Sequence, residues 1–167
     1  MKKLSFLLPL FLLGFLTSCD IDTPEKAADY YDVIIKKTNP LITDYENALI
    51  KSFSDYIPEE MEEKYEAFEA YVEKTAKELD ELEDYCGDEA LLKDAKGLLA
   101  AYKKALPLYK EKVEIESLST ADYTDAKADK SGELMDEIDE ILNEANDKFR
   151  ETSHKFGDDH NFAIKKF

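Results

Sequence analysis

Tryptophan is absent from this sequence, and cysteine and histidine occur only twice each among its 167 residues. These scarcities exclude chemistry before any motif is sought. Nucleophilic catalysis by Ser or Cys needs a base beside it, most often histidine. His154 and His160 both lie near the end of the chain, away from most candidate nucleophiles. Phosphate-cradling loops need clustered glycines, whereas Gly87, Gly97, Gly132 and Gly157 stand apart. No calcium loop of the D-x-D-x-D-G type occurs, and strand-like alternation of apolar and polar residues is missing. The chain is therefore read as helical and non-enzymatic, with no catalytic residue, cofactor or metal assigned.

What is present begins at the N-terminus. Lys2 and Lys3 precede an apolar run from Leu4 to Leu16, interrupted only by Ser5, Pro9 and Gly14. Early positive charge holds this end on the cytoplasmic side while the apolar run enters the export machinery. At about 1.5 Å per helical residue the run covers roughly 20 Å, short of the ~30 Å hydrocarbon core, so it reads as a signal segment and not a span. Leu16-Thr17-Ser18-Cys19 follows, an aliphatic residue, two small ones and a cysteine. A peptidase needs small side chains at the bond it cuts, and the thiol must be free to accept diacylglycerol. The expectation is cleavage of residues 1–18, lipid on Cys19 and a short tether, 19–23. Two or more acyl chains anchor stably where one does not. With Cys19 lipidated, Cys86 has no partner for an internal disulfide. It falls on an apolar stripe and is expected to be a small buried side chain, an intermolecular bond being the alternative.

Acids outnumber bases, 39 to 22, for a formal charge of −17, and removing residues 1–18 takes two lysines and no acid. Such a surface is repelled by nucleic acid and anionic head groups, which excludes them as partners. The mature length and 44% apolar content support one core.

Apolar residues recur at alternating steps of three and four. One stripe is Met61, Tyr65, Phe68, Val72, Thr75, Leu79, Leu82 and Cys86; a second runs from Leu92 through Leu99, Tyr102 and Tyr109 to Val113. A third takes Leu134, Ile138, Ile141, Ala145, Phe149, Thr152 and Phe156. A broader face carries Tyr31, Ile34, Leu41, Tyr45 and Leu49. This spacing keeps one stripe against its neighbours at the shallow angle of bundles. Thr23 is placed to cap the first helix with Pro24 at its first position, and Pro58-Glu59-Glu60 opens the second. Gly87 is expected to end the second helix, Asp88-Glu89 to start the third, and Gly157 to stop the fourth. Connections this short predict an all-α, up-down-up-down antiparallel four-helix bundle over 24–157, with a short tail over 158–167.

A glutamate-rich bundle invites a di-iron reading, which needs a Glu-x-x-His pair on each of two helices. Glu151-Thr152-Ser153-His154 supplies one pair and no second exists. His154, Asp158, Asp159 and His160 could hold a divalent ion on the tail, against the simpler reading of a polar helix end. The ten tyrosines are read as packing residues whose hydroxyls reach the rim. Pro40 and Pro107 are expected to interrupt helices one and three at one level. Either both helices curve and the core stays closed, or a cavity opens near Leu41, Phe68, Val72, Tyr102, Leu106 and Ile141.

Tyr30-Tyr31-Asp32-Val33-Ile34-Ile35, and the ending Phe149 to Phe156 followed by Asp159-His160-Asn161-Phe162, resemble a family of small helical bacterial surface lipoproteins of unknown function, of spirochaete and Bacteroidota type. The resemblance implies a lipidated bundle at the cell envelope and no assigned activity. Pro40 departs from the uninterrupted first helix expected there. The chain is thus expected to be a lipid-anchored envelope protein of the outer membrane. It meets the membrane through Cys19, and an envelope protein or small ligand through its bundle. The alternative is a small-molecule or metal-ion carrier with its site inside the bundle or on the tail.

Overall fold

The computed structural model describes residues 22–164; the signal segment and Cys19 lie outside them. Every regular element among the described residues is helical: α1 (Pro24–Pro40), a π-helical turn (Leu41–Glu46), α2 (Asn47–Asp55), α3 (Pro58–Asp80), α4 (Ala90–Glu116) and α5 (Asp125–Asp159). α1, the π turn and α2 follow one another without a break, so the chain builds four packed helical rods. None of these helices is long and apolar enough to cross a membrane.

The starts follow the residues that can cap them. Lys26 N–H donates to Thr23 Oγ1 at 3.3 Å with Pro24 in the first turn, and Pro58 opens α3 ahead of two acids. Asp88 Oδ1 accepts from Ala90 N at 3.0 Å at the start of α4.

Two of the expected ends are wrong. α3 stops at Asp80 and not at Gly87. Beyond it the chain folds a tight turn in which Cys86 (φ 52) and Gly87 (φ 87) are both left-handed. Tyr85 and Asp88 close it with backbone bonds of 3.2 and 2.8 Å, the pattern of a hairpin turn whose two central residues need positive φ. The turn buries Tyr85 and leaves Cys86 exposed, so the reading of Cys86 as a buried side chain fails. Gly157 does not stop the last helix either, because α5 runs through it to Asp159. Asn161 (φ 59) turns the chain instead, and Phe162 N–H returns to Gly157 O at 3.0 Å. Gly157 is needed for closeness: a Cβ there would stand 2.8 Å from Ile164 Cγ1. The segment after α5, read as a plain tail, thus folds back on the bundle as far as Ile164.

The stripes on α3 and α4 are buried from Met61 to Leu79 and from Leu92 to Val113. Leu91, Leu98 and Ala105 widen the buried face of α4, which packs against α1, α3 and α5. On α5 the stripe sits one residue off expectation in two places, with Leu142 and Ser153 buried in place of Ile141 and Thr152.

The prolines behave differently from each other. Pro107 faces solvent inside an unbroken α4, so it does not interrupt that helix. Pro40 ends α1 but hands the chain to the π turn without a gap. Leu41, Phe68, Val72, Tyr102 and Leu106 are all buried, and Tyr102 packs edge-on to Phe68 with ring centres 5.7 Å apart. The core at that level is filled.

Candidate functional site

Three constellations gather the polar groups of the described residues. The first lies inside the bundle. A π turn takes one residue more per turn than an α-helix, so it rotates the following side chains relative to those before it. At Pro40 the backbone lacks a donor, and the next amide, Leu41 N–H, turns to the Thr38 and Asn39 carbonyls. The Lys37 carbonyl accepts from Tyr71 Oη of α3 at 3.1 Å. The rotation brings Glu46 into the core at 9% exposure. There its two carboxyl oxygens accept from Tyr102 Oη (2.8 Å) and Tyr109 Oη (2.5 Å) of α4. Phe68 packs edge-on to both rings.

Burial raises the Glu46 carboxyl above its ordinary value of 4.5, while the two phenol hydrogen bonds pull the other way and the Asp139 charge adds to the rise. Burial and the facing Glu46 also hold both phenols well above the normal tyrosine range. These two hydroxyls do not reach the rim, contrary to expectation. Both carboxyl oxygens have partners, and the cluster is closed to solvent. It joins the first rod to α4 and offers no open coordination site.

The second constellation ties the two ends of the described fold together. Asp22 Oδ2 stands 3.0 Å from His160 Nδ1, and Asp88 Oδ2 lies 3.3 Å from His160 Nε2. Tyr85 Oη donates to Asp22 Oδ1 at 2.9 Å. Beneath them Tyr30, Tyr85 and Phe156 pack ring on ring at 5.4 to 6.1 Å. The Tyr85 hydrogen bond, then that of His160, draw the Asp22 carboxyl below its ordinary range. Burial, then Asp22, push the Tyr85 phenol up to about 12.

The tail residues considered for a divalent ion are not assembled into one. His160 faces Asp22 and Asp88, Asp159 pairs with Lys155, and His154 lies on the wall of a groove on the bundle's flank. Among the described residues no group of three or more His, Cys, Asp or Glu side chains is arranged to hold a metal.

That groove is the third constellation. It encloses about 470 Å³ between α1 with its π turn and the second half of α5. Tyr31, Ile35, Ile42, Leu98 and Phe149 form most of its walls, and Ile164 of the returning tail also lines it. Asn39, Asn146 and Arg150 are among its polar lining. Arg150 is already paired with Asp147 at 2.9 Å. Ser153, 5% exposed, also lines it, and its hydroxyl is buried without a hydrogen-bond partner. Sequence reasoning missed this site because it is built by the tail's return and the π turn, neither of which has a local signature. The neighbouring apolar residues Ile35 and Ile42 were the available signal, since both fall off the first helix's core face.

Comparison of the chain with family models, curated proteins and solved structures finds no match.

Proposed function

We propose that this chain is a lipid-anchored protein of the bacterial cell envelope, a non-enzymatic binding module tethered through Cys19. The observation that carries the reading is the box Leu16-Thr17-Ser18-Cys19, placed directly before a helix that Thr23 caps. Its setting between a charged, apolar leader and an acidic domain supports export. The resemblance to small helical surface lipoproteins supports the same class, and the outer membrane is the proposed location.

The bundle proposed for it is up-down-up-down and antiparallel. Contacts whose numbers rise on one rod as they fall along the next segment support this: Tyr30 Oη with the Glu83 carbonyl just past α3, Lys37 with Glu78 and Tyr45 with Tyr71. Ser117 meets Met61, while Lys96 meets Asp80. Lys112 reaches Ser131, and Asp94 reaches Thr152. In this arrangement Asp22, the turn at Cys86-Gly87 and His160 share the end nearest the membrane.

The carrier reading is kept as the second possibility because of the flank groove, which lies neither inside the bundle nor wholly on the tail. Expressing wild-type and Cys19→Ala chains with an alkyne-bearing palmitate analogue tests the anchor. The wild type should take up label and the variant should remain an unlabelled, uncleaved precursor. Label of equal strength on the variant would remove the anchor.

A further inference from the structure

We propose that the groove between α1 and α5 is a binding site for a small, uncharged, mainly apolar molecule carrying one hydroxyl or carbonyl group, with Ser153 as its polar contact. The proposal deepens the binding-module reading, on which its functional meaning rests; the geometry of the groove stands apart from the anchor.

The volume, about 470 Å³, falls in the range of pockets that enclose small ligands. Most of the wall is aliphatic or aromatic, so transfer of an apolar body out of water drives binding. The floor provides the polar clue. Other buried hydroxyls in these helices find an acceptor: Thr38 Oγ1 donates to Ile34 O at 3.0 Å, Ser52 Oγ donates to Leu49 O at 2.6 Å, and Ser131 Oγ donates to the Glu116 carboxylate. Ser153 finds none. An unsatisfied buried hydroxyl is destabilising, and alanine in its place would remove that cost with little change in volume. A serine is therefore a poor choice for packing alone at this position. Its Oγ is shut off from water in the conformer described, so contact with a ligand requires a turn about χ1 to another staggered well.

The charge pattern sets the class. Arg150 is compensated by Asp147, so the wall carries no free-standing cation from that pair to select an anion. The surrounding domain is strongly acidic and repels a carboxylate or phosphate. Asn39 and Asn146 present neutral donors and acceptors, which suit a hydroxyl or carbonyl.

The test is photolabelling of the full-length protein in lipid nanodiscs with a decanol that bears a diazirine, followed by peptide mapping. Label is expected on the α1–π segment around Ile35 and Ile42 and on α5 between Asn146 and Ser153. Ile42→Asp, a change at an exposed position in the groove wall, should abolish that label. Ser153→Ala should lower the apparent affinity about two- to tenfold, the worth of one neutral hydrogen bond. The same variant should unfold at an unchanged or higher urea concentration, an outcome a purely structural serine bound to its own helix would not give. Absence of groove label, or label indifferent to both substitutions, overturns the site. Stronger labelling by the matching decanoic acid overturns the ligand class. Neither failure touches the anchor, which the palmitate experiment reads separately.

Discussion

At Glu46 a single carboxyl links the backbone anomaly after Pro40 to the packing of α4. Its two phenol partners are themselves buried, so the cluster stands or falls together. Because burial raises its value above 4.5, the protonated form is the one the fold favours. The stability this contributes is fully present below 4.5 and is lost as pH rises through the folded value. Glu46→Gln keeps an acceptor and a donor for the two hydroxyls and carries no charge. It should be at least as stable as wild type at neutral pH, and its stability should fall less between pH 4.5 and 7. Glu46→Ala strands both hydroxyls and should lose about 1–3 kcal/mol for each. Urea unfolding of the three proteins at both pH values checks this, and a Gln variant with the wild-type pH slope would contradict it. Nothing in the local sequence singles out Glu46 among 39 acids. Its inward orientation depends on the extra residue of the π turn, and a strict 3.6-residue count puts the face elsewhere.

Among the elements, the helix starts are legible in the local sequence. Thr23, Pro24 and Pro58 start their helices by satisfying or omitting amides that have no partner, and that chemistry needs no tertiary context. Ends were harder. The step from Leu82 to Cys86 fits a helix, yet Tyr85 gains more by packing against Tyr30 and Phe156 and bonding Asp22, so α3 stops early. Gly157 looked like a terminator because its true requirement, room for Ile164, lies in a segment that returns from beyond the helix. The two prolines, similar on paper, should part company in experiment. Pro107→Ala restores an amide on the exposed side of a continuous helix and should raise stability by about 1–3 kcal/mol. Pro40→Ala gives no such gain. It favours a regular α turn that would rotate Glu46 away from Tyr102 and Tyr109. Denaturation midpoints of the two variants decide the matter, and an equal rise in both would mean the π turn owes nothing to Pro40.

For the whole molecule, helical class and a single core followed from the stripes, since the residues at their centres, Phe68, Leu99 and Tyr102, are buried. The groove did not follow, because a concavity is a relation between segments and its floor is one serine in a stripe of apolar residues. Of the two readings of the prolines, curved helices around a closed core or a cavity, the burial of Leu41, Phe68, Val72, Tyr102 and Leu106 favours the closed core, and only Pro40 disturbs its helix.

The meeting of Asp22 with His160 makes the fold close to a ring in space, since its first and last packed segments touch at one end. Nothing essential to the rods then requires the chain to open there. A circular permutant that joins the two ends by a short flexible linker and opens between Ser119 and Asp122, in the exposed connection before α5, should retain its helical circular dichroism and cooperative unfolding. Under the proposed lipid anchor, moving the leader and lipid box to the new opening would hang the same domain from the membrane by its other end. The groove would then face the opposite way along the membrane normal, which makes the direction of approach a variable that can be reversed while every wall of the site stays the same.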